Sequence, residues 1–488
     1  MITTRRRRTT LVAASIAATS IAALLAVPAA AAAPPTLNWQ PCGTIGAQCA
    51  TLSVPLDWAD PGGTKISLAL SRLPAADPSK RVGALLFNPG GPGGAGAESV
   101  EYGGNGLPQQ LRDRFDLIGF DPRGVGRSTP TITCAQPAFD PTVTQFPTTT
   151  AQFDQLVAHN RAVGQDCLKH TGPLLAHVDT ISVAHDLDAI RVALGENKIN
   201  YLGLSYGTLI GNIYAHFYPR HIRAMVLDGP LDHTIGSARI ASDENAASEV
   251  SLQHFFTWCD QTPSCALHAA GASTTYAQLQ RLLARGPIPA AGIPGGVPAE
   301  VAIQGVYEYL NVTSMWPDLA TAIQQAVAGD ASTLADAADN GPNSPDNPTN
   351  VAASQAFLSI GCQDFPAQIT SFGQLRQQIA QDRQAAPDMD GHVEGWLIEA
   401  GCIGWPLPAA DPWQSVPVRG APPILIVAGK YDPATPYPWA LGLARQISGS
   451  ILLTRSSDGH TGLLNDTCAQ QREADYLVDP TAPVGACP

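Results

Sequence analysis

Basic residues are scarce in this chain. There are 28 Lys and Arg among 488 residues against 41 Asp and Glu, and four of the basic ones are the consecutive Arg5–Arg8. Without residues 1–33 the net charge is about −17, a balance that argues against nucleic acid and anionic membrane surfaces as partners. Charged residues are only 14% of the chain and apolar residues 44%, enough to bury a large core. No apolar run reaches the roughly 20 residues of a spanning helix. The longest, Leu11–Val27, follows the arginines and leads into an alanine-rich stretch ending at Pro34. A basic start, a short apolar core and a small-residue zone predict a secretory signal peptide over 1–33, with no stable membrane insertion once it is removed. Arg7-Arg8 with Leu11 loosely fits a twin-arginine signal, and a general secretory signal fits as well.

No C-x-x-C is present, which leaves zinc and thioredoxin-like sites without support. No metal or other cofactor is expected. All ten cysteines lie after the signal segment, and an even number in an exported chain predicts five disulfides. Connectivity does not follow from sequence; nearest-neighbour pairing is the expectation, because each bridge then closes within one local unit. No internal repeats are evident.

What the chain does contain is alternation. Apolar strands are expected in "KISLALSRL", "GALLF", "FDLIGF", "KINYLGL", "RAMVLD", "PPILIVAG" and "SILLT", most of them apolar on both faces as in a parallel sheet. Val183, Leu187, Ile190 and Leu194 mark one face of a helix that Gly195 can cap. Between Pro230 and Pro423 the periodicity turns helical, with Pro/Gly/Asn-rich breaks at 286–298 and 340–349. The expected architecture is an α/β-hydrolase fold with a large, mostly helical cap inserted between sheet strands. Core segments 34–229 and 421–488 would flank a cap at 230–420.

Gly203-Leu204-Ser205-Tyr206-Gly207 sits between an apolar strand and a helix ending before Pro219. That is the context of a nucleophile elbow, in which glycines permit a tight turn and the helix N-terminus faces the hydroxyl. A serine hydroxyl needs a base. His460, in the glycine-containing loop after the last strand, is the choice. Three acids were possible partners: Asp432 after "ILIVAG", Asp228 after "MVLD", and Asp458, which is too near His460 in sequence to reach its far nitrogen. Asp432 gives the order Ser205, Asp432, His460 of the fold. For the oxyanion hole, one donor is expected from the Tyr206 N–H. The other should come from the loop Asn88-Pro89-Gly90-Gly91-Pro92-Gly93-Gly94, where Gly91 is preferred and Gly90 is next.

"NPGGPGG", "DPRGVGRS", "GLSYGT", "GKYDPATP" and "DGHTG", with "SIGCQDFP" and "AGCIGWP", together resemble the secreted tripeptidyl aminopeptidases of actinobacteria, α/β-hydrolases related to prolyl aminopeptidase. The likeness spans about residues 37–487. It implies a secreted bacterial serine exopeptidase, extracellular or cell-wall associated, that releases short peptides, often tripeptides, from free N-termini. It puts the nucleophile, acid and base on Ser205, Asp432 and His460. Pro89 stands where related aminopeptidases carry a histidine. A carboxylesterase with the same triad is the alternative, because some relatives act on small esters; a non-catalytic binding protein is a third reading. An exopeptidase must hold an α-ammonium, and cap carboxylates are the natural groups. Asp243, Glu244, Glu249, Asp364, Glu394 and Glu399 are the candidates, with Glu244, Glu249 and Asp364 put forward.

Overall fold

The computed structural model describes Met1 and residues 37–140, 142–338 and 348–487. The expected signal segment at 1–33 lies outside the described residues apart from Met1, as does most of the Pro/Asn-rich break at 340–349. No described helix is long and apolar enough to cross a membrane.

A nine-stranded sheet organises the chain in the order β1-β2-β3-β5-β4-β6-β7-β8-β9. The strands are β1 (Gln40–Pro41), β2 (Gln48–Pro55), β3 (Lys65–Leu73), β4 (Gly83–Asn88), β5 (Phe115–Phe120), β6 (Ile199–Leu204), β7 (Ile222–Asp228), β8 (Leu425–Tyr431) and β9 (Ile451–Asp458). The first three pair antiparallel and β3 joins β5 antiparallel; every later pairing is parallel. All six residues of β4 and all six of β6 are buried. Leu86 and Tyr201 enter the core on one face with Leu187 and Ile213, while Leu85, Phe87 and Leu202 enter the core on the other with Val100 and Leu477. This two-sided cover explains why these segments read as unbroken apolar runs. Emptying such a site, as in Leu86→Ala, typically costs about 2–5 kcal/mol.

Of the elements not foreseen, two bear on the architecture. β2 pairs with β3 over eight residues, from Gln48↔Arg72 to Pro55↔Lys65. Its alternation of Ala50, Leu52 and Val54 with exposed Thr51 and Ser53 is a one-sided strand pattern that its bounding Cys49 and Pro55 obscure. The helix Thr150–Thr171 follows a Pro/Thr-rich stretch, and Thr149 and Gln152 form a capping box at its start.

Between β7 and β8 the regular structure is helical, from Ser237–Gln261 through Glu394–Cys402. A separate hydrophobic core there contains Leu252, Phe255, Tyr307, Trp316 and Trp396, and it also takes in Phe146, Phe153 and Leu156 from ahead of β6. We keep 230–420 as the proposed cap insertion, with 143–157 packing into its core. The ten cysteines pair as 42–49, 134–167, 259–265, 362–402 and 468–487, nearest neighbours throughout.

Candidate active site

The chain turns from β4 to β5 on one side and to β6 on the other, so the strand order reverses at β4. In an open α/β sheet the crevice at such a point is where ligands bind. Two loops meet there: the glycine loop after β4 and the turn after β6.

Ser205 occupies that second turn with φ of +53°, a left-handed conformation that a side chain adopts only at an energetic cost. Its N–H donates to the Asp228 carbonyl (2.8 Å), and its own carbonyl accepts from the Thr208 N–H (2.8 Å). The flanking glycines are required by packing. A Cβ on Gly203 would lie 2.4 Å from the Gly207 carbonyl oxygen, and one on Gly207 would lie 2.8 Å from Asn88 Oδ1. The helix Gly207–Phe217 begins just beyond, so its positive end faces the serine.

The glycine loop closes over this turn. A Cβ on Gly90 would lie 2.9 Å from Ser205 Cβ, so the loop backbone runs directly against the serine. The Gly90 N–H already donates to Asn88 Oδ1 (3.0 Å). Gly91, with φ of +111°, lines the cleft beside Ser205 and Tyr206. Residues 91–96 also spell G-x-G-x-x-G, the order of a dinucleotide loop. The acid such a loop needs would be Asp121 after β5. That carboxylate is buried and accepts from the Ala97 and Arg127 N–H groups (2.9 Å each), so it is not free to take a ribose hydroxyl.

His460 follows β9. Its Nδ1 lies 2.9 Å from Asp432 Oδ1 and 3.1 Å from Oδ2. Asp432 is 1% exposed and also accepts from the N–H groups of Ala434 (3.0 Å), Thr435 (2.9 Å) and Thr461 (3.2 Å), with the buried Arg455 at 3.4 Å. Burial pushes the Asp432 carboxyl up, but His460, Arg455 and the backbone donors outweigh it and hold the group below the usual carboxylate range. Burial likewise disfavours the imidazolium, yet Asp432 and then Asp228 leave His460 raised above 6.5. The far nitrogen, Nε2, is shielded from solvent and has no hydrogen-bond partner among the described residues.

The other two acids are engaged elsewhere. Asp228 accepts from the Gly462 N–H (2.8 Å) and the Leu463 N–H (2.9 Å), anchoring the short helix that follows His460. Asp458 pairs with His254 at 2.6 Å.

A cleft opens beside Ser205 and Tyr206. Its walls are apolar, with Leu231, Ile240, Phe357, Phe365, Ile398 and Trp439, and its acidic groups are Glu244 and Glu394. Glu244 is 2% exposed; it accepts from the Gly395 N–H (2.6 Å) and from the Tyr307 hydroxyl. Burial pushes it up to about 8. Glu308, one residue past Tyr307, is pushed up to about 7, also by burial, and accepts from Gln304 at 2.9 Å. Glu394 is raised by burial and then by Glu308 and Glu244. Among the described residues no Lys, Arg or His forms an ion pair with any of the three.

Of the three carboxylates put forward for substrate, only Glu244 lines this cleft. Asp364 is fully buried beneath the elbow, where it accepts from the Thr180 N–H (3.1 Å), the Thr180 hydroxyl (2.7 Å) and the Tyr206 hydroxyl. Glu249 accepts from the Asp388 (3.0 Å) and Met389 (3.1 Å) N–H groups, away from the cleft. Both are satisfied by local donors that charge alone does not reveal. Asp243 pairs with Arg239 at 2.5 Å and Glu399 accepts from the Gln368 and Ile369 N–H groups (2.9 and 2.7 Å). Sequence reading passed over Glu308 because nothing in its helix distinguishes it from a solvated glutamate.

Residues 83–291 match the family model described as the alpha/beta hydrolase fold, and residues 392–487 match that of the TAP-like proteins. Serine protease Hip1 of Mycobacterium tuberculosis is 33% identical over 473 residues, covering 92% of this chain and 89% of its own length. The tripeptidyl aminopeptidase of Streptomyces lividans is 32% identical over 464 residues, covering 91% and 84%. Carboxylesterase B of Mycobacterium tuberculosis is 33% identical over 455 residues, covering 90% and 85%. A serine on a strained strand-to-helix turn, an Asp–His pair arriving from the last two strands, and relatives alike over nine-tenths of the chain lead to one conclusion: this chain belongs to the tripeptidyl aminopeptidase-like serine hydrolases of the α/β-hydrolase fold.

Proposed function

We propose that the protein is a secreted serine exopeptidase that releases short peptides, tripeptides by its family likeness, from free N-termini. Ser205 Oγ attacks the scissile carbonyl while His460 Nε2 takes its proton; the buried Asp432 holds the imidazole by Nδ1 and stabilises the imidazolium. The N–H groups of Gly91 and Tyr206 receive the developing oxyanion, and Gly91 is favoured over Gly90 because the Gly90 N–H is committed to Asn88. The imidazolium returns its proton to the departing amine, leaving an acyl-enzyme on Ser205. Water, deprotonated by His460, then frees the N-terminal fragment and the serine.

The observation that carries the exopeptidase reading is the set Glu244, Glu394 and Glu308. Burial and mutual repulsion push these carboxyls toward the protonated form, with His460 the only opposing charge and at a distance, and an arriving α-ammonium would favour their ionised form. Mass spectrometry of the products from a mixed peptide library tests the reading. Fragments of fixed short length from free N-termini are expected; internal cleavage products would overturn it. The relative named Carboxylesterase B supports a second reading, an esterase with the same triad, which predicts no peptide products and rapid turnover of short acyl esters.

The pH profile follows from the two shifts. The base must be neutral in the free enzyme, so kcat/KM rises with pH through the His460 pKa. With that pKa raised, the acid limb is expected above 6.5. Asp432→Asn removes the main charge raising it and leaves Asp228 alone against burial and Arg455, so the residual activity should show a limb at lower pH. The pair also stabilises the fold within a window. The Asp432 contribution is lost as pH falls through its depressed pKa, and the His460 contribution is lost as pH rises through its elevated one. A limb that stays in place in Asp432→Asn would contradict the pairing.

A further inference from the structure

The helix Ala299–Leu310 ends at Asn311 with its last carbonyls unpaired by the helix itself, as every α-helix does. The Asn311 carbonyl is satisfied from outside the cap: it accepts from the His460 N–H (2.7 Å) and from Asn465 Nδ2 (3.0 Å). The same amide nitrogen of Asn465 also donates to the His460 carbonyl (2.6 Å) and the Thr461 carbonyl (3.3 Å). Its Oδ1 accepts from the Thr313 N–H (2.9 Å) and the Thr313 hydroxyl (3.2 Å). One side chain thus ties the backbone carbonyls of His460 and Thr461 to the turn that leaves a cap helix, beside the direct bond from the His460 N–H to the Asn311 carbonyl. Gly459 is shaped to it: a Cβ there would lie 2.4 Å from Asn465 Oδ1.

We infer that Asn465 is a positioning residue that latches the His460 loop to the cap, so that the base is aligned only while the Ala299–Leu310 helix is seated. The same helix carries Tyr307, which holds Glu244, and Glu308. Contacts at the acidic end of the cleft are therefore joined, through one helix, to the residue that orients the base. The inference rests on His460 as the base.

Three variants test it. Asn465→Ala removes both arms. Asn465→Asp keeps an acceptor for Thr313 but sets a carboxylate oxygen against the carbonyls of His460 and Asn311. Thr313→Val removes only the hydroxyl contact. A displacement of about 1 Å in a catalytic group costs roughly 100-fold in rate. Both Asn465 variants are accordingly expected to lose about 10- to 100-fold in kcat with KM within threefold, and Thr313→Val to stay within threefold in both. Rates are expressed per active site, counted with a fluorophosphonate probe. The second-order rate of Ser205 sulfonylation by phenylmethanesulfonyl fluoride, which involves no peptide binding, should fall by the same factor as kcat. Asn465→Ala or Asn465→Asp turning over at the parent kcat per active site, with only a lowered Tm, would overturn the inference and leave Asn465 structural. Should the alanine chain not fold, the aspartate variant and Asn465→Ser decide on the same readouts. His460→Ala is measured alongside: parent-like kcat there would sink the base assignment instead.

Discussion

Ser205→Ala and His460→Ala are each expected to lower kcat by about 10⁴- to 10⁶-fold, with near-native circular dichroism and little change in Tm. The magnitude follows from the division of labour. Without the serine no acyl-enzyme forms, and without the imidazole the hydroxyl keeps its proton. What remains is the residual catalysis of the oxyanion donors and binding. The two losses should not add in the double variant, because the groups act as one unit. Asp432→Asn is expected to cost about 10⁴-fold, since the amide favours the wrong imidazole tautomer. Asp228→Asn is the informative comparison. Its carboxylate holds the N–H groups of Gly462 and Leu463 and does not reach the ring, so the loss should be within about tenfold, with lowered stability. Asp228→Asn proving more damaging than Asp432→Asn in a folded enzyme would reverse the acid assignment.

The second large effect concerns the cleft carboxylates. The double variant Glu244→Gln/Glu394→Gln should lose about 10- to 100-fold in kcat/KM for a free tripeptidyl-anilide. A hydrogen bond to a charged group is worth about 1.5–3 kcal/mol, and about 1.4 kcal/mol is tenfold. Most of the loss should fall in KM. Glu394 is the more exposed of the two and is proposed as the more direct contact; Glu244 is held by Gly395 and Tyr307 and is proposed to act by charge as well. The elevated protonation of this set adds a pH effect. An ammonium binds the ionised form, so KM for free N-termini should rise as pH falls from 8 toward 6. An N-acetylated substrate should show neither the mutational loss nor that slope. Equal losses on both substrates would mean the glutamates shape the cleft without reading the ammonium.

Much of this arrangement is legible in the sequence. Parallel strands buried on both faces announce themselves as continuous apolar runs, and the elbow, its two glycines and the acid and base loops each follow such a run. The order along the chain therefore carried Ser205, Asp432 and His460 to one edge of the sheet. The cap was a different matter. Which carboxylate faces the cleft depends on how helices far apart in sequence pack, and no periodicity separates Glu244 from Glu249, five residues further along the same helix. Asp364 looked available because it is an acid in the cap segment; three donors on Thr180 and Tyr206 already occupy it. Asn465 was invisible for a related reason. An asparagine two residues before a helix reads as a turn former, and its five partners lie on two segments 150 residues apart.

The most direct test of the account is the ratio of kcat/KM for a tripeptidyl-anilide with a free N-terminus to that for its N-acetylated form. Acetylation removes the charge that Glu244 and Glu394 are proposed to hold and adds bulk beside them. The account predicts a ratio of at least about ten. Equal rates on the two substrates, with short acyl esters turned over far faster than either, would contradict it and make the esterase reading the right one.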